Sequence, residues 1–375
     1  MLTKAAILPA VGAEWQIEEI ELGDPIAGEV QVRLAASGLC HSDEHVATGA
    51  SPLPFLPVLG GHEGAGVVTK VGPGVSGIEE GDHVVLSFVP ACGTCRPCAS
   101  GLQNLCDKGA GLLTGEAISD GSYRARTRDG KPLLQMCLLG TFAPYVTVNQ
   151  ASVLKIEKDI PLEAAALLGC GVSTGWGSAT AIGQTRPGDT VVVVGVGGVG
   201  INAVQGAAAA GARFVVAVDP VPFKQKKALE FGATHVYDSM SAAQAALPDL
   251  TWGRLAELVV LTLGEVEGHH VQEALSLTAK GGQVVVTSVA HHATTTVDLN
   301  LFELTLLQKR VQGAIFGGVG PRTQIPSLLE QYRVGNLKLE ELVTPYRLED
   351  INQGWQDMRD GKNLRGVIRY TEADY

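Results

Sequence analysis

Short β-branched runs punctuated by Gly and Pro fill the first 149 residues; Val30-Gln31-Val32-Arg33-Leu34 and Gly64-Ala65-Gly66-Val67-Val68 are typical. That punctuation predicts a β-rich, turn-dense domain. The N-terminal stretch reads as a strand, since a single Lys4 before a short uncharged run is too weak for a signal peptide. From Thr190 the rhythm changes. Residues 190–194 form an apolar strand, 199–210 a helix of small residues, and 214–218 a second strand that ends in Asp219. Further strands are expected at 255–261 and 283–289, with helices at 224–231 and 270–277. Alternating strands and helices imply a parallel, doubly wound sheet. After Gly313 the turn-rich character returns with Gly317, Gly318, Gly320 and Pro321, and the end of the chain is expected to fold back onto the first domain.

The most apolar stretch, 190–219, is long enough to raise a membrane span. Gly195, Gly197, Gly198 and Gly200 interrupt it, Asn202, Gln205 and Arg213 follow, and buried parallel strands are equally apolar. No membrane partner is expected. A chain of 375 residues suggests two domains, and 45% hydrophobic residues with 47 glycines describe a packed α/β protein with many tight turns. Net charge of −11 lacks the basic footprint that neutralising phosphates requires, which argues against a nucleic-acid partner.

Four of the seven cysteines stand in one run, Cys92-x2-Cys95-x2-Cys98-x7-Cys106. Two-residue spacers let one turn of backbone present successive thiolates to one ion, so the cluster reads as a tetrathiolate zinc lobe. Paired disulfides are the alternative, but nothing else points to an oxidising compartment and a cytoplasmic location is expected. Gly195-x-Gly197-x-x-Gly200 lies at a strand-to-helix junction, the context in which such a triplet marks a dinucleotide site. Gly198 sits inside it, and the helix N-terminus is placed to face a diphosphate. Asp219 closes the second strand, where a carboxylate would accept hydrogen bonds from the adenosine ribose and repel a 2′-phosphate, giving NAD rather than NADP. Lys224 could support the same ribose, or be an ordinary surface lysine.

Cys40, Cys170 and the histidine of Gly61-His62-Glu63-Gly64 are far apart in sequence, and none proves anything alone. Together they supply a Cys2His set of the kind used for catalytic zinc, with a fourth position open. The segments Gly38-Leu39-Cys40-His41-Ser42-Asp43, Gly60 to Gly66, the cysteine lobe, Gly169 to Gly175, the glycine triplet and Gly313 to Gly318, in this order, resemble the zinc-dependent medium-chain alcohol dehydrogenases along essentially the whole chain. The resemblance implies a Rossmann doubly wound parallel sheet inserted in a β-rich GroES-like catalytic domain, residues 1–171 and 315–375 forming the latter and 172–314 the former.

It also implies roles. Cys40, His62 and Cys170 would bind catalytic zinc with Asp43 and Glu63 behind it, Asp43 orienting His62, while Cys92, Cys95, Cys98 and Cys106 would hold a structural zinc. Cys137 is left uncommitted. Ser42 would take the alcohol proton and pass it through the nicotinamide ribose to His45, whose other reading is a surface helix residue. His41 and Arg365 match contacts to the pyrophosphate, and Thr174 and Val199 match residues pressing on the cofactor. Phe88, with Ser87 beside it, matches a substrate-pocket aromatic, against ordinary core packing. The pairs His269-His270 and His291-His292 match no role.

Within the family, Asp120 to Arg124 and Met136 to Phe142 are similar to the NDMA-dependent nicotinoproteins, which keep NAD(H) bound and reoxidise it with an external acceptor. The long excursion between Cys106 and Gly140 resembles the dimeric branch, so a homodimer is expected. Glutathione-dependent formaldehyde dehydrogenase is the rival enzyme, with Lys108 the only candidate for its anion-binding residue. A non-catalytic nucleotide-binding member is the rival of another class.

Overall fold

The computed structural model describes residues 1–375, which form two compact units: Met1–Cys170 with Gly320–Glu330 and Leu339–Tyr375, and Gly171–Val319 with Gln331–Lys338. In the first unit the strands Leu2–Leu8, Gln16–Leu22, Ala125–Thr127, Pro132–Gln135 and Val58–Leu59 close into a small barrel. Its interior is filled by Ala5, Ile7, Ile20, Leu59, Ala125, Leu133 and Ala143. Beside it runs a seven-stranded sheet in the order Val153–Ile156, His83–Leu86, Gly64–Val71, Glu29–Gly38, Arg365–Arg369 and Val343–Tyr346, with Tyr145–Asn149 also paired to Glu29–Gly38. The long strand Glu29–Gly38 and its partner Gly64–Val71 pair antiparallel with Ser37 opposite Gly64, so the residues following one and preceding the other emerge at one end of the sheet. Cys40 and His62 lie there.

The second unit is a six-stranded sheet in the order His235–Tyr237, Phe214–Val218, Thr190–Val194, Ala256–Leu261, Thr278–Val286 and Arg310–Gly313, every pair parallel. This is the 3-2-1-4-5-6 order of a Rossmann sheet. Thr190–Val194 is buried at all five positions because helices cover both faces, which is why it reads as a continuous apolar run and not an alternation. Each fully buried valine there is worth about 1.5–3 kcal/mol of transfer free energy. The helices run Gly200–Ala209, Pro222–Glu230 and Gly268–Leu277, close to the expected spans. The expected strand at 283–289 instead spans Thr278–Val286, since Thr287 and Ser288 turn to bond back to Leu261.

The stretch after Gly313 departs from expectation in two ways. Residues 321–333 are not turns but the helix Pro321–Arg333, which buries Ile325, Leu328 and Leu329. Gly320-Pro321 looks like a breaker, but proline suits a first helical position because its missing N–H would have no partner there anyway. The chain also does not rejoin the first unit at 315. Gly317 packs against Gly177 and the Ser173 carbonyl, and Lys338 donates its N–H to Gln205 at 2.8 Å, so residues 315–319 and 331–338 stay with the second unit.

Candidate active site and metal centres

In the cysteine lobe the four sulfurs lie within 4.8 Å of one another. Cys92 and Cys98 sulfurs are 3.9 Å apart and those of Cys95 and Cys106 are 3.8 Å apart. A tetrahedron with zinc–sulfur bonds of about 2.3 Å has edges of about 3.8 Å, whereas a disulfide needs about 2.05 Å. All seven cysteines are free, so the disulfide alternative is excluded. The backbone N–H groups of Thr94 and Cys95 point at the Cys92 sulfur at 3.4 and 3.3 Å, and that of Cys92 at Cys106. Burial opposes ionisation of Cys92, but the hydrogen bonds from Thr94 and Cys95 outweigh it and bring the thiol down to about 5. Burial pushes Cys106 up to about 12, so its proton leaves only when a cation compensates the charge.

The second cluster joins Cys40, His62, Glu63 and Cys170, all buried, with ligand atoms again within 4.8 Å. Cys40 immediately precedes the helix His41–Thr48, His62 and Glu63 precede the strand Gly64–Val71, and Cys170 follows the short turn Ala166–Gly169. Asp43 accepts the Gly61 N–H at 2.8 Å with one oxygen and sits 3.0 Å from His62 Nδ1 with the other. That ion-pair contact places the Asp43 carboxylate on the Nδ1 side of the ring, and both ring nitrogens are buried without a hydrogen-bond partner. A hydrogen bond from Cys170 favours the thiolate on Cys40 and holds the proton on Cys170. Burial alone would lower His62, but Asp43 and the Cys40 thiolate reverse the sign and raise it well above its ordinary value. An orphaned ring nitrogen among two converging sulfurs, one a thiolate, is a donor set that fits zinc.

Glu63 is closer to this centre than a residue standing behind it. One of its carboxylate oxygens belongs to the same group of donors, and it is also ion-paired with Arg365, both side chains being buried. Gly38 makes room for it, since a Cβ there would fall 2.0 Å from Glu63 Oε2. Arg365 is expected from sequence to meet a pyrophosphate; the structure commits one of its nitrogens to Glu63 and leaves its Nε buried without a partner. Phe88 packs edge-on against the His62 ring with centroids 5.8 Å apart. Ser87 is fully buried, and its hydroxyl donates to the Val89 carbonyl at 2.9 Å. Ser42 lies 3.9 Å from the Cys40 sulfur, and His45, one turn on, is buried and not a surface residue. His41 is the first residue of that helix.

In the second unit Gly195 adopts φ +85°, and a Cβ on it would meet the Thr262 carbonyl at 2.7 Å. A Cβ on Gly200 would lie 1.9 Å from the Gly195 carbonyl, while one on Gly197 would meet nothing. Two glycines are therefore demanded by the fold, and the third leaves a cradle that a side chain would fill, which fits a diphosphate. Gly198 and Val199 lie between them, Val199 capping the helix Gly200–Ala209. Asp219 accepts from the N–H groups of Val196 at 2.8 Å and Val221 at 3.0 Å, so the loop itself aims the carboxylate. Lys224 stands in the first turn of the helix Pro222–Glu230. Thr174 carries a buried hydroxyl oxygen without a partner, and so does Ser288, which sequence reasoning did not single out. A lone serine after an apolar strand gives no signal of its own.

Family models match the chain twice: an alcohol dehydrogenase GroES-like domain over residues 26–158 and a zinc-binding dehydrogenase over 198–332. The chain belongs to the zinc-dependent alcohol dehydrogenase family. It is 52% identical to alcohol dehydrogenase B of Mycobacterium tuberculosis over the whole of both chains. It is 51% identical to the NDMA-dependent alcohol dehydrogenase of Amycolatopsis methanolica over 99% of this chain and 100% of the relative. Identity falls to 33% with the S-(hydroxymethyl)glutathione dehydrogenase of Paracoccus denitrificans, over 99% of this chain and all of that one. Among solved structures, the alcohol dehydrogenase zinc-binding domain protein from Burkholderia ambifaria matches with TM-score 0.92 and 34% identity, covering 99% and 100% of the two chains. Zinc and NAD are the cofactors of this family, and the two donor clusters and the glycine cradle fit them. No helix is long and apolar enough to cross a membrane.

Proposed function

We propose that the protein oxidises primary alcohols to aldehydes, and runs the reverse reaction, by hydride transfer to NAD that stays bound and is reoxidised by an external acceptor. The observation that carries the reading is the buried Cys40–His62–Cys170 cluster with Asp43 on the Nδ1 side of the imidazole. Bound here, zinc and NAD supply a Lewis acid that eases loss of an alcohol's hydroxyl proton and a ring carbon that accepts hydride.

The chain's own residues do the rest. Cys40, His62 and Cys170 hold the ion, and Asp43 keeps the imidazole in the tautomer that leaves Nε2 free. Ser42 takes the hydroxyl proton. His45, three residues on and therefore on the same helix face, would exchange it with water. Phe88 forms an apolar wall beside His62 and orders the carbon chain of the alcohol. Asp219 holds the adenosine ribose, with Lys224 beside it, while His41 and the unpaired Nε of Arg365 meet the pyrophosphate. Thr174 and Val199 press on the cofactor. Glutathione-linked chemistry is disfavoured: identity to the S-(hydroxymethyl)glutathione dehydrogenase is 33%, against 51% to the NDMA-dependent relative; Lys108, its one candidate anion contact, lies in the short turn Asp107–Gly111.

The NAD-retaining character rests on the 51% identity to the NDMA-dependent relative. Protein purified without added cofactor should carry about one nicotinamide per chain and oxidise benzyl alcohol or ethanol only when an artificial acceptor is supplied. Cofactor-free protein that turns over exchangeable NAD would sink the retained-cofactor reading. Failure of zinc-replete protein on every primary alcohol would sink the enzyme reading. The chain is also proposed to act as a homodimer.

A further inference from the structure

We infer that Thr141 is a positioning residue for the catalytic metal centre, holding both backbone carbonyls that flank His62 so that the imidazole and the Glu63 carboxylate point at one spot. Thr141 is fully buried, just before the strand Tyr145–Asn149. Its N–H donates to the Gly61 carbonyl at 2.9 Å and its hydroxyl to the Glu63 carbonyl at 3.1 Å. The two bonds straddle His62, and the next residue extends the clamp, Phe142 N–H donating to the Gly60 carbonyl at 2.9 Å. The fit is tight: Gly61 has φ +87°, and a Cβ on it would fall 2.5 Å from the Thr141 hydroxyl oxygen.

Hydrogen counting fixes the direction of the network. The Thr141 hydroxyl oxygen lies 2.7 Å from that of Ser37, and a hydroxyl has one proton to give. Since Thr141 spends its proton on Glu63, Ser37 donates to Thr141, and the chain runs Ser37 to Thr141 to the Glu63 carbonyl. Tyr370 closes it from the other side by donating to the Thr141 carbonyl at 2.7 Å. All of these groups are buried, and buried chains of hydrogen bonds in which every member is satisfied rigidify what they hold. Thr141 touches no ligand atom. It acts only through the backbone that carries His62 and Glu63.

This rests on the reading that Cys40, His62 and Cys170 hold zinc, and the test separates the two. T141V removes the hydroxyl at nearly constant shape, T141S restores it, and T251V removes a comparable buried hydroxyl from the second unit, where Thr251 bonds Leu247 at 2.6 Å. Zinc release to a chromogenic chelator is followed on purified protein, together with the visible spectrum of the cobalt-substituted form. For T141V, one of the two zinc ions should leave about tenfold faster, the range expected for supporting groups around a metal, while release from the cysteine lobe is unchanged. Its cobalt bands should shift. T141S should lie within twofold of wild type, and T251V should lose thermal stability without changing either zinc. A T141V protein with unaltered release and spectrum overturns the clamp. So does a T251V protein that loses the same zinc. Wild type holding only the lobe zinc overturns the ligand reading and the clamp with it. If T141V does not fold, S37A decides: it withdraws the donor from the Thr141 oxygen, and release at the wild-type rate would overturn the proposal, while release several-fold faster supports it.

Discussion

Cys137 shows how burial settles the chemistry of a single side chain. It sits in a left-handed backbone conformation, φ 50°, in the turn before Gly140, buried and within electrostatic reach of His62, Asp43 and Cys40. Burial pushes its thiol up to about 12, the positive His62 pulls it back, and Asp43 and Cys40 add to the rise. At pH 8, well below that, the reactive thiolate is a small minority. Iodoacetamide at pH 8 should therefore leave Cys137 unmodified in folded, zinc-loaded protein and label it fully after denaturation, as read by peptide mass spectrometry. Rapid labelling of the folded protein would show that the turn opens. Residue types and spacing were enough to mark the four lobe cysteines from sequence, because few structures need thiolates in such a pattern, whereas the roles of Cys40, His62 and Cys170 came from the family resemblance. The roles of Thr141 and of the Glu63–Arg365 pair were not legible. Both depend on which segments the sheet brings side by side, and neither residue breaks any local pattern.

At the scale of elements, the strand–turn–helix from Thr190 to Ala209 was legible almost to the residue, since a wholly buried strand, a glycine turn and a small-residue helix each leave a distinct signature. The helix Pro321–Arg333 was not, because the glycines and proline at its start look the same as those of a loop. The glycines of the cofactor turn have unequal duties, and this gives a sharp expectation. G200A would place a methyl group 1.9 Å from the Gly195 carbonyl and 2.6 Å from the Thr262 hydroxyl, and both are fixed, Thr262 by bonds to the Val194 and Gly195 carbonyls. The turn must open, at a cost of about 1–3 kcal/mol typical of overpacking. Extracted nicotinamide should fall to about a fifth of the wild-type content or less, the loss such a cost produces in an equilibrium. Zinc should stay at two per chain, because every ligand lies in the first unit. Unchanged nicotinamide would show that the turn does not hold the diphosphate.

On the whole-molecule scale, the surface carries information that sequence patterns could not give, because exposed leucines differ from buried ones only once the fold is known. The sheet of the second unit ends in Arg310–Gly313, an edge strand exposed at all four positions. Just before it, the helix Leu301–Leu306 presents Leu301, Phe302 and Leu306 at 67%, 74% and 64% exposure. That helix is firmly held: Asn300 caps it through the Glu303 N–H at 3.0 Å, and the buried Lys309 bonds Glu303 and the Leu275 carbonyl. An open edge beside an ordered apolar patch invites a second copy, and pairing the same strand about a twofold axis satisfies both chains at once. The opposite edge strand, His235–Tyr237, has only three residues. Each chain carries a charge of −11, so a pair would have to form by apolar burial and strand pairing against charge repulsion. Light scattering should give twice the 39.1 kDa chain mass for the wild type and the single-chain mass for the F302D/L306K double variant, with both zinc ions and the nicotinamide retained. Wild type at 39.1 kDa under micromolar conditions, or a double variant that still pairs, would rule out this edge as the dimer seam.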